Sequence, residues 1–298
     1  MIDLCNNEPI ATRLYRYDRV HPALPNLGAF SEAHVHQFQE LGFVAVENVF
    51  TDKEIEDAKE ALRFLIGGGN PAYQGAELEE YAKTKNLMPD EKELYVRKVM
   101  YFVDHDVRLK HMCEHPSLMS IVERLLGSKT RMIQDMALMK PPHVGREKPW
   151  HQDNAYFMHE PVEAVMGTWT ALDEATPENG CMHVIPGTHR EGPRPHYHDR
   201  DCQLPDDEID VDRDVVVPLR PGGVLFFSSL LHHGTPPNTS ASRRRALQFH
   251  YARVDCQKIG PERHAEIFRD KIGSAGCINW TPEGKAGRPI GERGRQAD

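Results

Sequence analysis

Long apolar runs, paired cysteines and an excess of basic residues are all missing from this sequence. No segment approaches 18 consecutive apolar residues, and the N-terminal stretch has neither a basic region nor an apolar core. The six cysteines are scattered without a C-x-x-C spacing, which argues against zinc-finger and thioredoxin-like sites. We therefore expect a cytoplasmic protein with reduced thiols and without a membrane partner.

The charge balance is acidic. Lysine and arginine total 36 against 45 aspartate and glutamate residues, which leaves a formal net charge of -9. A general nucleic-acid binder needs a basic face, so nucleic acid is not an expected partner. A local basic pocket for a small anion is compatible with this total charge, and a small-molecule substrate is expected. The sequence does not determine an oligomeric state.

Helix signals lie in the first part of the chain. Ser31 is positioned to cap a helix that ends at Gly42, and Thr51 with Glu54 forms a capping box for a helix to about Ile66. An amphipathic pattern over 117–127 predicts a third helix. A polar stretch over 67–93 reads as a long surface loop, with a short helix as an alternative.

Short strands separated by turn signals dominate the second part. This pattern predicts a mainly β fold with flanking helices and a jelly-roll core. We expect a single domain over 1–272, with a helical part at about 31–127 and the jelly roll at about 131–257, followed by a loosely ordered tail over 273–298. Strands are predicted at 43–50, 94–103, 131–140, 151–157, 164–172, 181–187, 214–219, 223–229 and 245–252.

A candidate metal site begins at Trp150-His151-Gln152-Asp153. On a strand, residues two apart project from the same face, so His151 and Asp153 could share one metal ion. A third ligand is available from His232 or His233, of which one can point inward because neighbours on a strand face opposite ways. Two histidines and one carboxylate form the facial triad of non-haem Fe(II) oxygenases.

Several ordered motifs extend this pattern over about residues 31–257. They are MALMKPP, WHQDNAYF, TWTALDEATPENGCMHVIPGTHR, PGGVLFFSSLLHHGTPPN and the region of Arg244. With these motifs the chain resembles the phytanoyl-CoA dioxygenase family of Fe(II)/2-oxoglutarate-dependent oxygenases. The resemblance implies a double-stranded β-helix of the cupin type, with Fe(II), 2-oxoglutarate and O2 as cofactor and cosubstrates.

The resemblance also implies roles for individual residues. His151 and Asp153 match the first two iron ligands, and the family pattern His-Gly-x-x-x-Asn selects His233 as the third. Arg244 matches the arginine that binds the distal carboxylate of 2-oxoglutarate, a task suited to its planar fork. Further cosubstrate contacts implied in the same way are Lys98, Met136, Gln152, Trp169 and Thr235, and the expected substrate wall is Asn154, Tyr156 and Phe157.

The expected activity is hydroxylation of an aliphatic C–H bond in a small metabolite, with release of succinate and CO2. Because Asp153 supplies a carboxylate ligand, oxygenation is favoured over the halogenation carried out by relatives that lack one. A zinc hydrolase on the same ligands and a non-catalytic cupin-like binding protein are the alternatives. The substrate stays open among acyl-CoA esters, compatible solutes, phosphonates and natural products.

Two polar loops and four further histidines complete the sequence-based expectations. The stretches 67–93 and 190–213 are expected to border the substrate entrance, because both are rich in glycine, proline and charge. His183, His189, His196 and His198 lie in or near the second stretch, where a solvated loop is a better explanation than a second metal site.

Overall fold

The computed structural model describes residues 13–269, so the predicted tail over 273–298 lies outside the described residues. Helices and strands alternate early in the chain, and strands predominate later. The helices are α1 (Glu32–Leu41), α2 (Asp52–Ile66), α3 (Pro89–Lys92), α4 (Val107–Cys113), α5 (Pro116–Leu126) and α6 (Pro261–Phe268). The strands are β1 (Phe43–Val46), β2 (Ala76–Leu78), β3 (Val96–Met100), β4 (Thr130–Lys140), β5 (Lys148–His151), β6 (His159–Glu160), β7 (Val165–Ala171), β8 (Met182–Val184), β9 (Tyr197–His198), β10 (Cys202–Gln203), β11 (Val215–Val217), β12 (Val224–Ser228), β13 (His233–Thr235), β14 (Arg244–Arg253) and β15 (Gln257–Lys258).

The predicted helix boundaries are confirmed where local capping determines them. Ser31 is the N-cap of α1, and Gly42 ends that helix in the left-handed conformation with φ of 86°. Thr51 and Glu54 form the predicted capping box of α2, with the Thr51 side chain accepting from the Glu54 backbone N–H. The short helices α4 and α6 were not predicted, because each is too brief to show a clear apolar period.

Two antiparallel sheets form the core of the fold. The larger has seven strands in the order β1-β12-β7-β14-β4-β3-β2, and the smaller has four in the order β11-β8-β13-β5. The predicted mainly β fold with a jelly-roll core and flanking helices is therefore confirmed. The larger sheet begins earlier in the chain than predicted, since β1, β2 and β3 precede residue 131.

Both faces of the larger sheet are covered. Its outer face packs against the helices in one apolar cluster, to which Leu62, Phe102 and Phe249 belong. Its inner face packs against the smaller sheet in a second cluster, to which Trp169 and Val184 belong. A side chain on the inner face therefore projects into the space between the sheets, where the site lies.

One predicted strand needs correction. The strand predicted over 151–157 ends at His151, and the chain continues into a short 3-10 turn over Asp153–Ala155. Cys113, Cys181 and Cys256 carry free, buried thiols. Within residues 13–269, no helix combines the length and the apolar character required to cross a bilayer.

Candidate functional site

His151 and His233 are brought together by strand pairing. His151 ends β5 and His233 begins β13, and the two are direct cross-strand partners in the smaller sheet. Their ring centroids lie 4.2 Å apart, and both side chains are buried. The register between two strands, set by residues distant in sequence, therefore places two imidazoles side by side.

Asp153 completes a buried group of three potential metal ligands. Its Oδ1 lies 3.2 Å from His151 Nε2 and 3.5 Å from His233 Nε2. One ligand atom from each of the three residues falls within 4.8 Å of the others. The 3-10 turn after β5 carries Asp153 into this position, so the expectation that it shares a strand face with His151 is wrong although the proximity is as predicted.

Backbone carbonyls orient both imidazole rings. His151 Nδ1 lies 2.8 Å from the Pro149 carbonyl oxygen, and His233 Nδ1 lies 2.9 Å from that of Leu231. A carbonyl oxygen can only accept, so each Nδ1 carries a proton, and the neutral form of each ring then presents its Nε2 on the side of Asp153. This is the orientation that a metal-binding histidine requires.

The second carboxylate oxygen of Asp153 is held by β14. His250 Nε2 lies 2.7 Å from Asp153 Oδ2, and the Gln248 amide nitrogen donates to the same oxygen at 3.1 Å. All three side chains are buried. Sequence reasoning missed Gln248 and His250, although they lie four and six residues after Arg244 along β14, and these even spacings would have placed them on the same strand face.

The protonation states of the group suit a divalent cation. Burial and the neighbouring His233 lower the pKa of His151 to about 3, so its imidazole is neutral at physiological pH. Burial acts to raise the pKa of Asp153, but the nearby His233 and His250 outweigh it and hold that pKa well below its usual value. Two imidazoles and an ionised carboxylate fit the facial triad of Fe(II).

His232 points away from this group. Its Nε2 is buried and has no hydrogen-bond partner in the described part of the chain, and its backbone N–H donates to the Thr188 hydroxyl at 2.9 Å. Burial and Arg194 lower the pKa of His232 to about 3, so this imidazole is also neutral. The structure places His233, and not its neighbour, against Asp153.

The inner face of the larger sheet carries four of the residues named from the sequence. Gln248, which contacts Asp153, is the cross-strand partner of both Met136 and Trp169. Lys98 is paired with Leu138, two residues along β4 from Met136. Paired residues project from the same face, and Arg244 lies four residues before Gln248 on β14. Lys98, Met136, Trp169 and Arg244 therefore face the same interior as the His151, Asp153 and His233 group.

Arg244 is a buried cation without a carboxylate partner among residues 13–269. Its side chain is 1% exposed, its guanidinium lies 5.2 Å from the centroid of the Trp169 ring, and its Nε has no hydrogen-bond partner. The Leu138 carbonyl oxygen, 3.5 Å from Nη1, is a weak acceptor. Burial lowers the pKa of Arg244 to about 10, which leaves it charged at neutral pH. Such an unpaired buried cation fits an anionic ligand.

The arginines on either side have other partners. Arg245 forms ion pairs with Asp173 at 2.8 Å and with Glu93 at 2.8 Å. Arg243 donates to the Glu93 carbonyl oxygen at 3.0 Å. The alternation along β14 thus separates the two paired arginines from the unpaired Arg244.

Thr235 and Gln152, the other two residues expected to contact 2-oxoglutarate, lie outside the larger sheet. Thr235 is buried at the end of β13, and its carbonyl oxygen accepts from Lys140, the cross-strand partner of Arg244. The Gln152 amide nitrogen donates to the Gly192 and Leu230 carbonyl oxygens, and its oxygen accepts from the Arg194 backbone N–H. Gln152 therefore joins the loop after β8 to the segment after β12.

The three residues expected at the substrate wall lie just past the ligands. Tyr156 packs at 6.1 Å from the His151 ring, and Lys148 Nζ donates to its hydroxyl. Phe157 lies 4.7 Å from the His250 ring. Asn154 is fully buried, and its amide nitrogen faces the Val162 carbonyl at 3.4 Å. Tyr156 thus borders the triad through the His151 ring, whereas Phe157 contacts His250, which binds Asp153.

The histidines near the 190–213 stretch are less solvated than expected. His183 is fully buried, with its Nδ1 in a hydrogen bond of 2.9 Å to Asp214 Oδ2, and His196 accepts from the Gln152 backbone N–H at 2.9 Å. The expectation of a solvated loop is therefore wrong for these two residues. None of His183, His189, His196 and His198 belongs to a metal-ligand group among the described residues.

Comparison with known proteins decides the family. The model of the phytanoyl-CoA dioxygenase (PhyH) family matches residues 38–246, which include all three candidate iron ligands and Arg244. The chain belongs to the phytanoyl-CoA dioxygenase family. It is thus a non-haem Fe(II)/2-oxoglutarate-dependent oxygenase, with Fe(II) and 2-oxoglutarate as its cofactors.

Individual relatives are distant. Peroxisomal phytanoyl-CoA dioxygenase of Bos taurus is 28% identical over 236 residues, which cover 76% of this chain and 69% of the relative. The structure of EctD from S. alaskensis with bound Fe matches with a TM-score of 0.65 at 22% identity, over 84% of this chain and 86% of that one. The complex of EvdO2 from Micromonospora carbonacea var. aurantiaca with 2-oxoglutarate matches with a TM-score of 0.62 at 22% identity, over 82% and 99%. At these identities the two solved structures establish the shared fold.

Proposed function

We propose that this oxygenase hydroxylates an aliphatic C–H bond of a small molecule. Fe(II), 2-oxoglutarate and O2 together supply the oxidant, with release of succinate and CO2. His151, Asp153 and His233 would hold the iron through two Nε2 atoms and one carboxylate oxygen. The observation that carries the proposal is this buried triad together with Arg244, a buried cation that has no carboxylate partner within residues 13–269.

Arg244 would bind the distal carboxylate of 2-oxoglutarate. Its position over Trp169 leaves the guanidinium fork available to a bidentate ligand, and Thr235 lies at the neighbouring end of β13. Lys98 and Met136 project from the same sheet face and would line the cosubstrate cavity. Gln152 would act indirectly, because its amide holds the backbone of Gly192 and Arg194.

Tyr156 and Phe157 would form part of the substrate wall, with Asn154 beneath them. They follow the iron ligands directly and contact the rings of His151 and His250. Their aromatic surfaces would exclude water from the reacting C–H bond, which protects the oxidant from unproductive reduction.

A zinc hydrolase on the same three ligands is a weaker candidate, because its reaction would not require the buried cation Arg244.

The cellular location stays a prediction. The bovine relative is named as a peroxisomal protein, whereas the sequence of this chain suggested the cytoplasm. The absence of a nucleic-acid partner likewise stays a prediction from the acidic charge balance.

The first experiment adds Fe(II) and 2-oxoglutarate to the metal-free enzyme under anaerobic conditions. Chelation of the ferrous ion by 2-oxoglutarate should produce a weak visible charge-transfer band, which Zn²⁺ cannot produce because its d shell is full. A panel of small molecules is then screened for those that stimulate succinate formation in air. A chain that shows neither the band nor succinate formation with any compound would contradict the proposal.

The iron ligands are tested by comparing His233→Ala with His232→Ala. The first removes an imidazole whose Nε2 faces Asp153, so we expect loss of the charge-transfer band and of turnover. The second removes an imidazole that has no partner at Nε2, so we expect activity within a few fold of the parent. The reverse result would assign the third ligand to His232.

A further inference from the structure

A second group of potential metal ligands lies among the helices and shares no residue with the iron site. Glu54 lies in the first turn of α2, His111 in the last turn of α4, and His115 is the N-cap of α5. Glu54 Oε1 is 3.2 Å from His111 Nε2 and 3.2 Å from His115 Nε2. We propose that these three side chains bind a divalent transition-metal ion, with Zn²⁺ as the best match.

The distances agree with tetrahedral coordination. Zinc bonds to histidine nitrogen and carboxylate oxygen are about 2.0–2.2 Å long, so neighbouring ligand atoms of a tetrahedron lie about 3.3–3.5 Å apart. The two measured Oε1–Nε2 separations are both 3.2 Å, and all the ligand atoms lie within 4.8 Å of one another. A metal ion can enter this group after small side-chain shifts.

The carboxylate of Glu54 is held in place from behind. Its Oε2 accepts from the Thr51 backbone N–H at 2.8 Å and from the Thr51 hydroxyl at 2.7 Å. The capping box therefore uses one oxygen of the carboxylate and leaves the other directed at the two imidazoles. Hydrogen bonds to the second oxygen of a ligating carboxylate are the usual means of fixing its orientation.

The two histidines differ in exposure in a way that suits an accessible site. The His115 side chain is 17% exposed and packs against the Phe50 ring at 5.1 Å, which limits its rotation. The His111 side chain is 56% exposed, so a metal ion and a water molecule can reach the group from solvent. Three protein ligands and one water complete a four-coordinate zinc site.

The ligand types select the metal. Two imidazole nitrogens and one carboxylate favour Zn²⁺, Cu²⁺ or Ni²⁺ over Mg²⁺ and Ca²⁺, which prefer sites made of oxygen alone. Because the ligands come from α2, α4 and the start of α5, a bound ion joins three helices that pack outside the larger sheet. Metal binding to the folded state should then stabilise this helical layer.

Zinc stoichiometry tests the proposal in a background without the iron site. The variant His151→Ala/His233→Ala is freed of metal, and Zn²⁺ is titrated in competition with a chromophoric chelator. We expect one equivalent to bind to this variant and to raise its melting temperature. Adding Glu54→Gln should abolish both effects. It should retain the capping box, because the glutamine side-chain oxygen can also accept from the Thr51 backbone N–H. Adding His111→Ala, at an exposed position, should weaken binding at least tenfold.

His36→Ala serves as the matched control. His36 is an exposed histidine on α1 outside any group of metal ligands among residues 13–269, so its removal should leave zinc binding unchanged. If the variant without the iron site binds no zinc at micromolar concentrations, the proposal is overturned. Binding that persists unchanged in both Glu54→Gln and His111→Ala would overturn it as well, since the metal would then lie elsewhere.

Discussion

The two oxygens of Asp153 have different surroundings, and this difference matters for iron binding. Oδ1 faces the Nε2 atoms of His151 and His233, whereas Oδ2 faces His250 and Gln248. Donors on Oδ2 favour coordination through Oδ1 alone. A carboxylate that binds through one oxygen leaves more of the metal coordination sphere available to 2-oxoglutarate and O2.

His250→Ala should therefore weaken Fe(II) binding about 10–100-fold, the usual effect of removing a group that orients a ligand. His250→Gln can still donate to Oδ2 and should recover part of the affinity. The measurement is an anaerobic Fe(II) titration, followed by the ratio of 2-oxoglutarate consumed to product formed. Unchanged affinity in His250→Ala would mean that the backbone turn at Asp153 is sufficient to orient the carboxylate.

Arg244 combines a functional task with a cost to stability. Arg244→Met removes the charged partner of 2-oxoglutarate, a loss of about 2–5 kcal/mol for a buried pair, so KM for 2-oxoglutarate should rise by roughly 30-fold or more. The same change removes an unpaired buried cation. The free energy of unfolding without 2-oxoglutarate should therefore stay constant or increase.

Arg243→Met is the control, because Arg243 donates to the Glu93 carbonyl oxygen and belongs to the opposite strand face. We expect it to leave KM for 2-oxoglutarate close to the parent value. A steep rise in KM for Arg243→Met, with none for Arg244→Met, would transfer the carboxylate-binding role to the neighbouring residue.

At the scale of single elements, β14 contributes most to the site. Arg244, Gln248 and His250 project from its inner face at even spacings, while Leu247 and Phe249 on its outer face join the apolar cluster with the helices. Burial of the outer residues fixes the register of the strand. A slip of one residue would turn all three polar side chains away from the space between the sheets.

The end of α1 is tied to the site through Gly42. An alanine Cβ at this position would lie 2.5 Å from His189 Nδ1 and 2.9 Å from Leu231 Cδ1, and Leu231 supplies the carbonyl that orients His233. Gly127, at the end of α5, is also left-handed, but no atom of residues 13–269 lies within 4 Å of a Cβ added there. The two glycines thus share a backbone conformation and differ in their surroundings.

Alanine is strained in the left-handed conformation, so Gly42→Ala and Gly127→Ala should each lower the free energy of unfolding by about 1–2 kcal/mol. The overlap with His189 and Leu231 should lower the free energy of unfolding of Gly42→Ala by about 1–3 kcal/mol more. This variant should also bind Fe(II) less tightly, because Leu231 orients His233. Urea denaturation of the two variants measures the difference. Equal losses would show that His189 and Leu231 move aside without cost.

For the whole molecule, buried neutral histidines make stability depend on pH. The pKa of His232 and that of His151 are both lowered to about 3 by burial. In the unfolded chain these groups have a pKa near 6.5 and bind protons first as the pH falls. Their contribution to the free energy of unfolding is therefore present above pH 6.5. It is lost progressively as the pH falls from 6.5 toward 3, the pKa of these histidines in the folded protein.

Each such histidine should reduce the free energy of unfolding by about 1.4 kcal/mol between pH 7.5 and 5.5. His232→Gln removes one of them without removing a hydrogen bond of the ring Nε2. Denaturant titrations of the metal-free parent and variant measure the free energy of unfolding at the two pH values. From pH 7.5 to 5.5 this free energy should fall by about 1.4 kcal/mol less in the variant than in the parent. An identical loss in both proteins would contradict the lowered pKa of His232.

Local interactions made much of this protein predictable from its sequence. The ends of α1 and α2 depend on Ser31, Gly42, Thr51 and Glu54, whose partners lie within four residues along the chain. The ligand types were visible in the same way, since the H-x-D motif and the distal His-Gly belong to ordered family motifs. Such signals need no knowledge of the tertiary contacts.

The arrangement of the site depended on contacts between residues far apart in sequence. His250 lies 97 residues from Asp153, and Glu54 lies 57 residues from His111. Strand register and helix packing, which arise from burial of apolar faces over the whole chain, determine these distances. The sequence by itself therefore determined the kinds of ligand and the local elements. The tertiary structure alone decided that Asp153 leaves the strand, that His250 and Gln248 hold its second oxygen, and that Arg244 remains unpaired, because each depends on which strands become neighbours.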